Sequence, residues 1–344
     1  MEESSKVNAS QSVDACVPGR YWHTIEEAGQ EKIFCDLCPR ACVMKEGDRG
    51  FCFVRQNIEG QMYLTTYGKS TGFCIDPIEK KPFFHFLPGT KAFSIATAGC
   101  NLACLNCQNW NISQHSPTET RNYDLFPAKV VESALKGRCS SIAYTYSEPV
   151  VFYEYAMETA KLAHQAGIKN LFKTAGYINE MPLRLIAPYL DGVNVDLKSF
   201  SDDVYQKLNA GSLAPVLKTI QVLKELNVWV EITNLVVPSW TDDFNKIREM
   251  CIWLKNNGLE HTPLHFSRFT PMHRLSQLPP TPVETLVKAR EIALQEGLMQ
   301  VFIGNVPGKN FENTQCPKCQ KVLIEREGFR SEERRVGKEC RSRG

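Results

Sequence analysis

Cys100, Cys104 and Cys107 share one short stretch, Gly99-Cys-Asn-Leu-Ala-Cys-Leu-Asn-Cys-Gln-Asn-Trp110, directly behind an apolar run. A 4Fe-4S cube takes one thiolate per iron, so three thiolates on one loop leave an iron with an open coordination position. A chelating molecule could bind there and accept an electron. The loop therefore reads as catalytic. The plainer alternatives are a three-cysteine zinc site completed by a distant ligand, or a run of buried thiols.

A second set, Cys35, Cys38, Cys42 and Cys52, lies upstream. Four thiolates suffice to close either a tetrahedral zinc site or an auxiliary 4Fe-4S cluster. The Pro and Gly turns beside these cysteines tilt the reading towards zinc. Cys316-Pro-Lys-Cys319 has the form of half a zinc knuckle or ribbon, and Cys16, Cys74, Cys139 and Cys251 read as ordinary buried thiols. Fourteen cysteines in a chain whose start, Met-Glu-Glu-Ser-Ser-Lys, lacks a secretory pattern read better as ligands than as disulfides. A cytoplasmic, reducing compartment is expected.

The elements that must position these residues follow a βα alternation from about Phe93 onward. Strands are predicted at 93–98, 141–146, 170–174, 192–197, 228–237, 263–269 and 299–304, and helices at 128–136, 150–166, 181–188, 214–226, 243–257 and 283–296. Polar, Gly or Pro residues follow every strand, from Ser147-Glu148-Pro149 to Thr270-Pro271. In a β/α barrel such positions gather at one mouth. The fold class is α/β, a partial TIM-type (β/α)6 barrel over residues 91–309. Residues 1–90 form an extension with the cysteine-rich metal module, 310–329 a partial CxxC knuckle, and 330–344 a disordered, non-native tail with six basic residues.

A net charge of +2, 43% hydrophobic residues and 23% charged ones describe an ordinary globular chain of 344 residues. No nucleic acid is expected as partner, and no apolar run is long enough to span a membrane.

Cys-x3-Cys-x2-Cys, followed by a second strand ending in an acid-Pro pair, resembles the radical SAM superfamily. Over the barrel the chain is similar to pyruvate formate-lyase activating enzymes. Ser147-Glu148-Pro149 stands where those carry Gly-Gly-Glu-Pro, Asp196-Leu-Lys198 matches their Asp-Leu-Lys, and Val236-Val-Pro238 with Trp240-Thr-Asp-Asp243 matches the fifth strand and its loop. The resemblance implies a 4Fe-4S cluster on Cys100, Cys104 and Cys107 and S-adenosylmethionine (SAM) as cofactor. It implies SAM-binding roles for Glu148, as acceptor of the amino group, for Asp196 and Lys198, and for Asn234, which with Thr233 occupies the place of the relatives' fifth-strand arginine. His265 would touch the SAM ribose or substrate, or else is a hydrogen-bonded core histidine. Arg268 is an anion-binding candidate. Relatives place an aromatic residue before the third cysteine. Here that residue is Asn106, so Trp110 or Phe269 would have to cover the adenine.

A narrower resemblance rests on Cys35-Asp-Leu-Cys-Pro-Arg-Ala-Cys42, Gly50-Phe-Cys-Phe-Val-Arg55, Asp76-Pro-Ile-Glu-Lys-Lys-Pro82, Cys107-Gln-Asn-Trp-Asn-Ile-Ser113 and Gly304-Asn-Val-Pro-Gly308. These motifs are similar to the AmmeMemoRadiSam-system radical SAM enzymes, which implies Memo-type and AMMECR-type proteins as partners. An electron donor such as flavodoxin or ferredoxin is implied too, and hydrogen abstraction from a protein substrate or a small molecule. The competing function is a non-catalytic zinc-binding adaptor.

Overall fold

The computed structural model describes residues 16–306 and 310–333. Its centre is an eight-stranded sheet: β1 (Gly72–Pro77), β2 (Lys91–Ala96), β3 (Ser141–Tyr144), β4 (Lys169–Thr174), β5 (Gly192–Asp196), β6 (Trp229–Val236), β7 (Leu264–Arg268) and β8 (Val301–Gly304), hydrogen-bonded in that order. From β2 to β8 every pairing is parallel. Six helical crossovers join these seven strands: α1 (Pro127–Lys136), α2 (Tyr153–Gln165), α3 (Glu180–Ile186), α4 (Asp202–Asn209) with α5 (Leu213–Glu225), α6 (Phe244–Asn256) and α7 (Val283–Gln295). The arrangement is an α/β fold with a mostly parallel sheet in which six β/α units are followed by one more strand.

The helices form where caps and periodicity agree. Pro127 opens α1, whose Val130, Val131 and Ala134 are buried, and the Asp243 carboxylate accepts from the amides of Asn245 and Lys246 at the start of α6. All seven predicted parallel strands are present within a few residues of their expected limits. β1 is a correction. It pairs antiparallel with β2, so the boundary expected between residues 90 and 91 falls inside a sheet pairing.

In most parallel sheets both faces are apolar. Here one face carries a polar row in which Lys173 lies beside Asn194, Asn194 beside Glu231, and Thr233 beside His265. The link between β1 and β2 lies against this row. The Phe84 and His85 amides donate to the fully buried Glu231 carboxylate, and Asn194 Nδ2 donates to the Pro82 carbonyl. These bonds offset the cost of burying charge and amide groups in the interior.

Upstream of β1 lie two small antiparallel sheets. One contains Val17–Pro18, Arg55–Ile58 and Gln61–Leu64, the other Trp22–Glu27, Gln30–Cys35 and Val43–Met44. They dock on the sheet's helices through the buried Arg55–Glu154 ion pair at 2.8 Å and through Asn179, which bonds the Asp36 and Leu37 carbonyls. Downstream, Thr314–Gln315, Val322–Glu327 and Arg330–Glu333 form a three-stranded sheet. Cys316 to Cys319 lies in the turn between its first two strands. Residues 330–333 are therefore a strand rather than the start of a disordered tail. The remainder of that tail, and Pro307 and Gly308, lie outside the described residues.

Candidate active site

The carboxyl ends of the parallel strands surround a cavity of about 450 Å³, lined by all three cysteines of the loop after β2 and by Glu148, Lys173, Asp196, Lys198 and His265. One mouth collects them because every βα loop emerges on the same side of a parallel sheet. The cysteine loop is tied to its surroundings by backbone bonds. Gly99 N–H donates to Ile112, Ala103 to Asn209 and Leu105 to Leu208. Arg40, from the cysteine-rich region, adds a clamp: its guanidinium donates to the Asn101 carbonyl at 2.7 Å and also to the Ala210 carbonyl.

Each sulfur has its own polar neighbour. Leu102 N–H donates to Cys100 Sγ at 3.4 Å, Asn209 Nδ2 donates to Cys104 Sγ at 3.2 Å, and Ser113 Oγ lies 3.2 Å from Cys107 Sγ. Burial, then the negative charge of Glu148, pushes the Cys100 thiol well up, and burial raises Cys104 as well. Three thiolates beside a carboxylate thus call for compensating positive charge, which a cationic iron–sulfur core would provide. The donor set fits such a cluster.

Glu148 is nearly inaccessible, at 3% exposure. Its Oε1 accepts from Thr174 Oγ1 at 2.5 Å and from Val150 N at 3.2 Å, and its Oε2 accepts from Ala175 N at 2.8 Å. Burial raises its pKa in spite of these bonds. A carboxylate has about four acceptor sites, so roughly one remains for a ligand. Opposite in charge is the group around Asp196, which joins Lys173 and Lys198, the latter at 3.0 Å. Burial lowers Lys173, whereas Lys198, also opposed by burial, is carried well up by Asp196 and Cys104. Two ammonium groups on one carboxylate leave this side of the mouth locally positive, opposite the Glu148 carboxylate, and suited to an anionic ligand group.

Glu148, Asp196, Lys198 and His265 come together in one cavity with the three cysteines. His265 is almost wholly buried, its Nε2 2.8 Å from Glu231 Oε2 and its ring stacked on Phe302. It closes the inner end of the cavity as a hydrogen-bonded core histidine. Asn234 is a correction. Pleating turns Thr233 and Leu235 towards the cavity, while Asn234 is buried and donates to the Leu197 carbonyl. Arg268 donates to the Thr281 carbonyl, Phe269 is buried in a separate cluster, and Trp110 stacks on His273. None of these three lines the cavity.

The sequence reading missed Lys173, Thr174 and Asn209. A lysine inside an apolar strand, Asn170-Leu-Phe-Lys-Thr174, was the available signal for the first two. It also missed the meeting of the motif at 76–82 with Tyr146. Asp76 accepts from Lys81 at 2.6 Å, Tyr146 at 2.6 Å, Ser94 at 2.8 Å and Lys80 at 2.9 Å, and those bonds hold its carboxyl far below the usual range against the opposing effect of burial. The other four cysteines, Cys35, Cys38, Cys42 and Cys52, line a separate small cavity.

A mostly parallel β/α arc with a three-cysteine loop and a buried acid at the same mouth defines a class of cluster-dependent enzymes. Residues 94–251 match the family model of the Radical SAM superfamily. The chain is 46% identical over 301 residues to an uncharacterized protein of Methanocaldococcus jannaschii, covering 88% of this chain and 90% of that one. It is 23% identical over 220 residues to the pyruvate formate-lyase 1-activating enzyme of Escherichia coli K12, covering 59% of this chain and 89% of that enzyme. Among solved structures, a domain of a pyruvate-formate lyase-activating enzyme from Bacteroides vulgatus aligns with a TM-score of 0.43 at 19% identity, covering 48% of this chain and 99% of that one.

The chain belongs to the radical SAM superfamily, and it is a radical SAM enzyme distantly related to pyruvate formate-lyase activating enzymes. Membership implies a 4Fe-4S cluster and SAM, and it sets aside the adaptor alternative. Among the described residues, no helix is long and apolar enough to cross a membrane.

Proposed function

We propose that this enzyme cleaves SAM reductively at a cluster held by Cys100, Cys104 and Cys107, and uses the product for hydrogen abstraction from a protein partner. When bound, the cluster and SAM together supply one electron and a sulfonium carbon bond whose scission yields methionine and a 5′-deoxyadenosyl radical. The observation that carries this reading is the juxtaposition of the three thiols, the Glu148 carboxylate and the Lys173–Asp196–Lys198 group around one cavity.

The chain's own residues bind and orient. The remaining acceptor site of Glu148 takes the SAM ammonium, and its position is fixed by Thr174 and Ala175. Lys198, held by Asp196, faces the SAM carboxylate. Asn209 and Ser113 stabilise thiolate at Cys104 and Cys107.

A protein substrate is favoured because the Escherichia coli relative is named for activating pyruvate formate-lyase. Memo-type and AMMECR-type partners, supported by the motifs at 35–42, 50–55, 76–82 and 107–113, are the specific candidates. A one-electron donor of the flavodoxin or ferredoxin class would supply the cluster.

Anaerobic incubation with dithionite and SAM tests the reaction. 5′-Deoxyadenosine should form in wild type and be absent in Cys104→Ala, and a true partner should stimulate its formation. Equal product from wild type and Cys104→Ala would refute the reading.

A further inference from the structure

Cys35, Cys38, Cys42 and Cys52 are not used by the proposed reaction, yet they surround a cavity of their own with Arg40, Arg55 and Asn101 in its wall. Cys35, Cys38 and Cys52 are buried, and Cys42 is half-buried. Their sulfurs are dressed as ligands are. Backbone amides of Leu37, Arg40 and Val54 donate to Cys35, Cys38 and Cys52 respectively, and Phe51 N–H donates to Cys42 Sγ at 3.4 Å. Buried thiols that serve only as small hydrophobes have no use for four directed donors.

Arg55 supplies a second, independent observation. It is 2% exposed, its two terminal nitrogens bond Glu154 and the Arg20 carbonyl, and the guanidinium also leans on Cys35. A buried guanidinium turned towards two buried cysteines marks a place where negative charge is to be held. Four metal-bound thiolates would provide that charge.

Four thiolates suffice to close either a zinc site or an iron–sulfur cluster. Position favours the cluster, because the two cysteine sites are back to back. The Cys52 carbonyl abuts Gly99, so closely that a Cβ there would lie 2.3 Å from it, and Asn101, the neighbour of Cys100, bonds towards Cys38 and receives the Arg40 clamp.

We infer that Cys35, Cys38, Cys42 and Cys52 hold a second iron–sulfur cluster, fully ligated by protein, which passes electrons through the shared wall at residues 99–101 to the cluster on Cys100, Cys104 and Cys107. The donor protein gives up one electron and the outer cluster accepts it, then is reoxidised as the inner one is reduced. The relay role rests on the proposed reaction, whereas the presence of the cluster does not.

The test uses the full chain with Cys100→Ala, Cys104→Ala and Cys107→Ala combined, purified and reconstituted anaerobically. It should retain about four iron and about four sulfide per chain, with a signal after dithionite in electron paramagnetic resonance that SAM leaves unchanged. About one zinc with no sulfide, or no metal at all, overturns the proposal. A companion variant, Cys38→Ser with Cys52→Ser, keeps a SAM-responsive signal. It should form 5′-deoxyadenosine at least about tenfold more slowly with a flavodoxin-type donor, and at an unchanged rate with dithionite; equal rates with the protein donor overturn the relay. A triple-cysteine variant that keeps its iron beside a wild type that cleaves no SAM with dithionite would sink the proposed reaction and leave the second cluster standing.

Discussion

Gly99→Ala puts the wall between the two cysteine sites under direct load. Gly99 has φ +90°, and a Cβ built on it would lie 2.3 Å from the Cys52 carbonyl oxygen and 2.6 Å from Val54 Cγ1. A non-glycine residue in left-handed backbone costs about 1–2 kcal/mol. Overpacking a close-packed region costs about 1–3 kcal/mol more. The sum is about 2–5 kcal/mol, and at about 1.4 kcal/mol per tenfold it corresponds to a loss of roughly 30-fold or more in the stability of the local arrangement. Gly167→Ala is the control, because Gly167 has φ +73° but nothing within 4 Å of its would-be Cβ. Both variants should lose stability in denaturant melts, Gly99→Ala by the larger amount. Only Gly99→Ala should lose iron faster than wild type to an added chelator under anaerobic conditions. Equal destabilisation of the two variants, with wild-type iron retention in Gly99→Ala, would refute the argument that the two cysteine sites share a rigid wall.

Glu148→Gln replaces an acceptor facing the Ala175 amide with an amide that must leave one hydrogen bond unmade, and it removes the negative charge. SAM affinity measured by anaerobic calorimetry should fall about tenfold or more. Glu154→Ala leaves Arg55 buried without its carboxylate, and should lower the unfolding free energy by about 3–5 kcal/mol in urea. His85 is held down to about 4, against 6.5 unperturbed, chiefly by burial. Between those values the unfolded chain binds the additional proton, so stability is full above about pH 6.5 and is lost as pH falls towards 4, by up to about 3 kcal/mol. His85→Gln should flatten that part of the curve, and an unchanged slope would assign the acid sensitivity elsewhere.

The parallel core was legible because its strands are short β-branched and aromatic runs, and its helices end in Gly or begin at Asp or Pro. What escaped depended on contacts distant in the chain. Gly72–Pro77 gave little strand signal, with Phe73 and Ile75 among its more exposed residues, and its place in the sheet comes from pairing with β2. At the site, Cys100, Cys104 and Cys107 were singled out by type and spacing and Glu148 by the family resemblance, and all four line one cavity. Asn234 was misplaced because the resemblance located the fifth-strand position only to the pair Thr233 and Asn234, and alternation does not say which of two neighbours faces the cavity. Lys173 was passed over because alternation leaves open which face holds the cavity. The role of Arg40 was out of reach, since its acceptors are at residues 101 and 210.

Arg326 donates to the Phe84 carbonyl and lies 4.3 Å over that ring, while His85 bonds Thr314. These links join positions more than two hundred residues apart. Closing so long a loop is entropically slow, so this stitch should be among the last to form during refolding. The cysteine loop, secured by nearer partners, would by then be shaped to receive iron through a seam still ajar. Metal loading and watertight closure can therefore succeed one another in time, the first complete before the second denies entry.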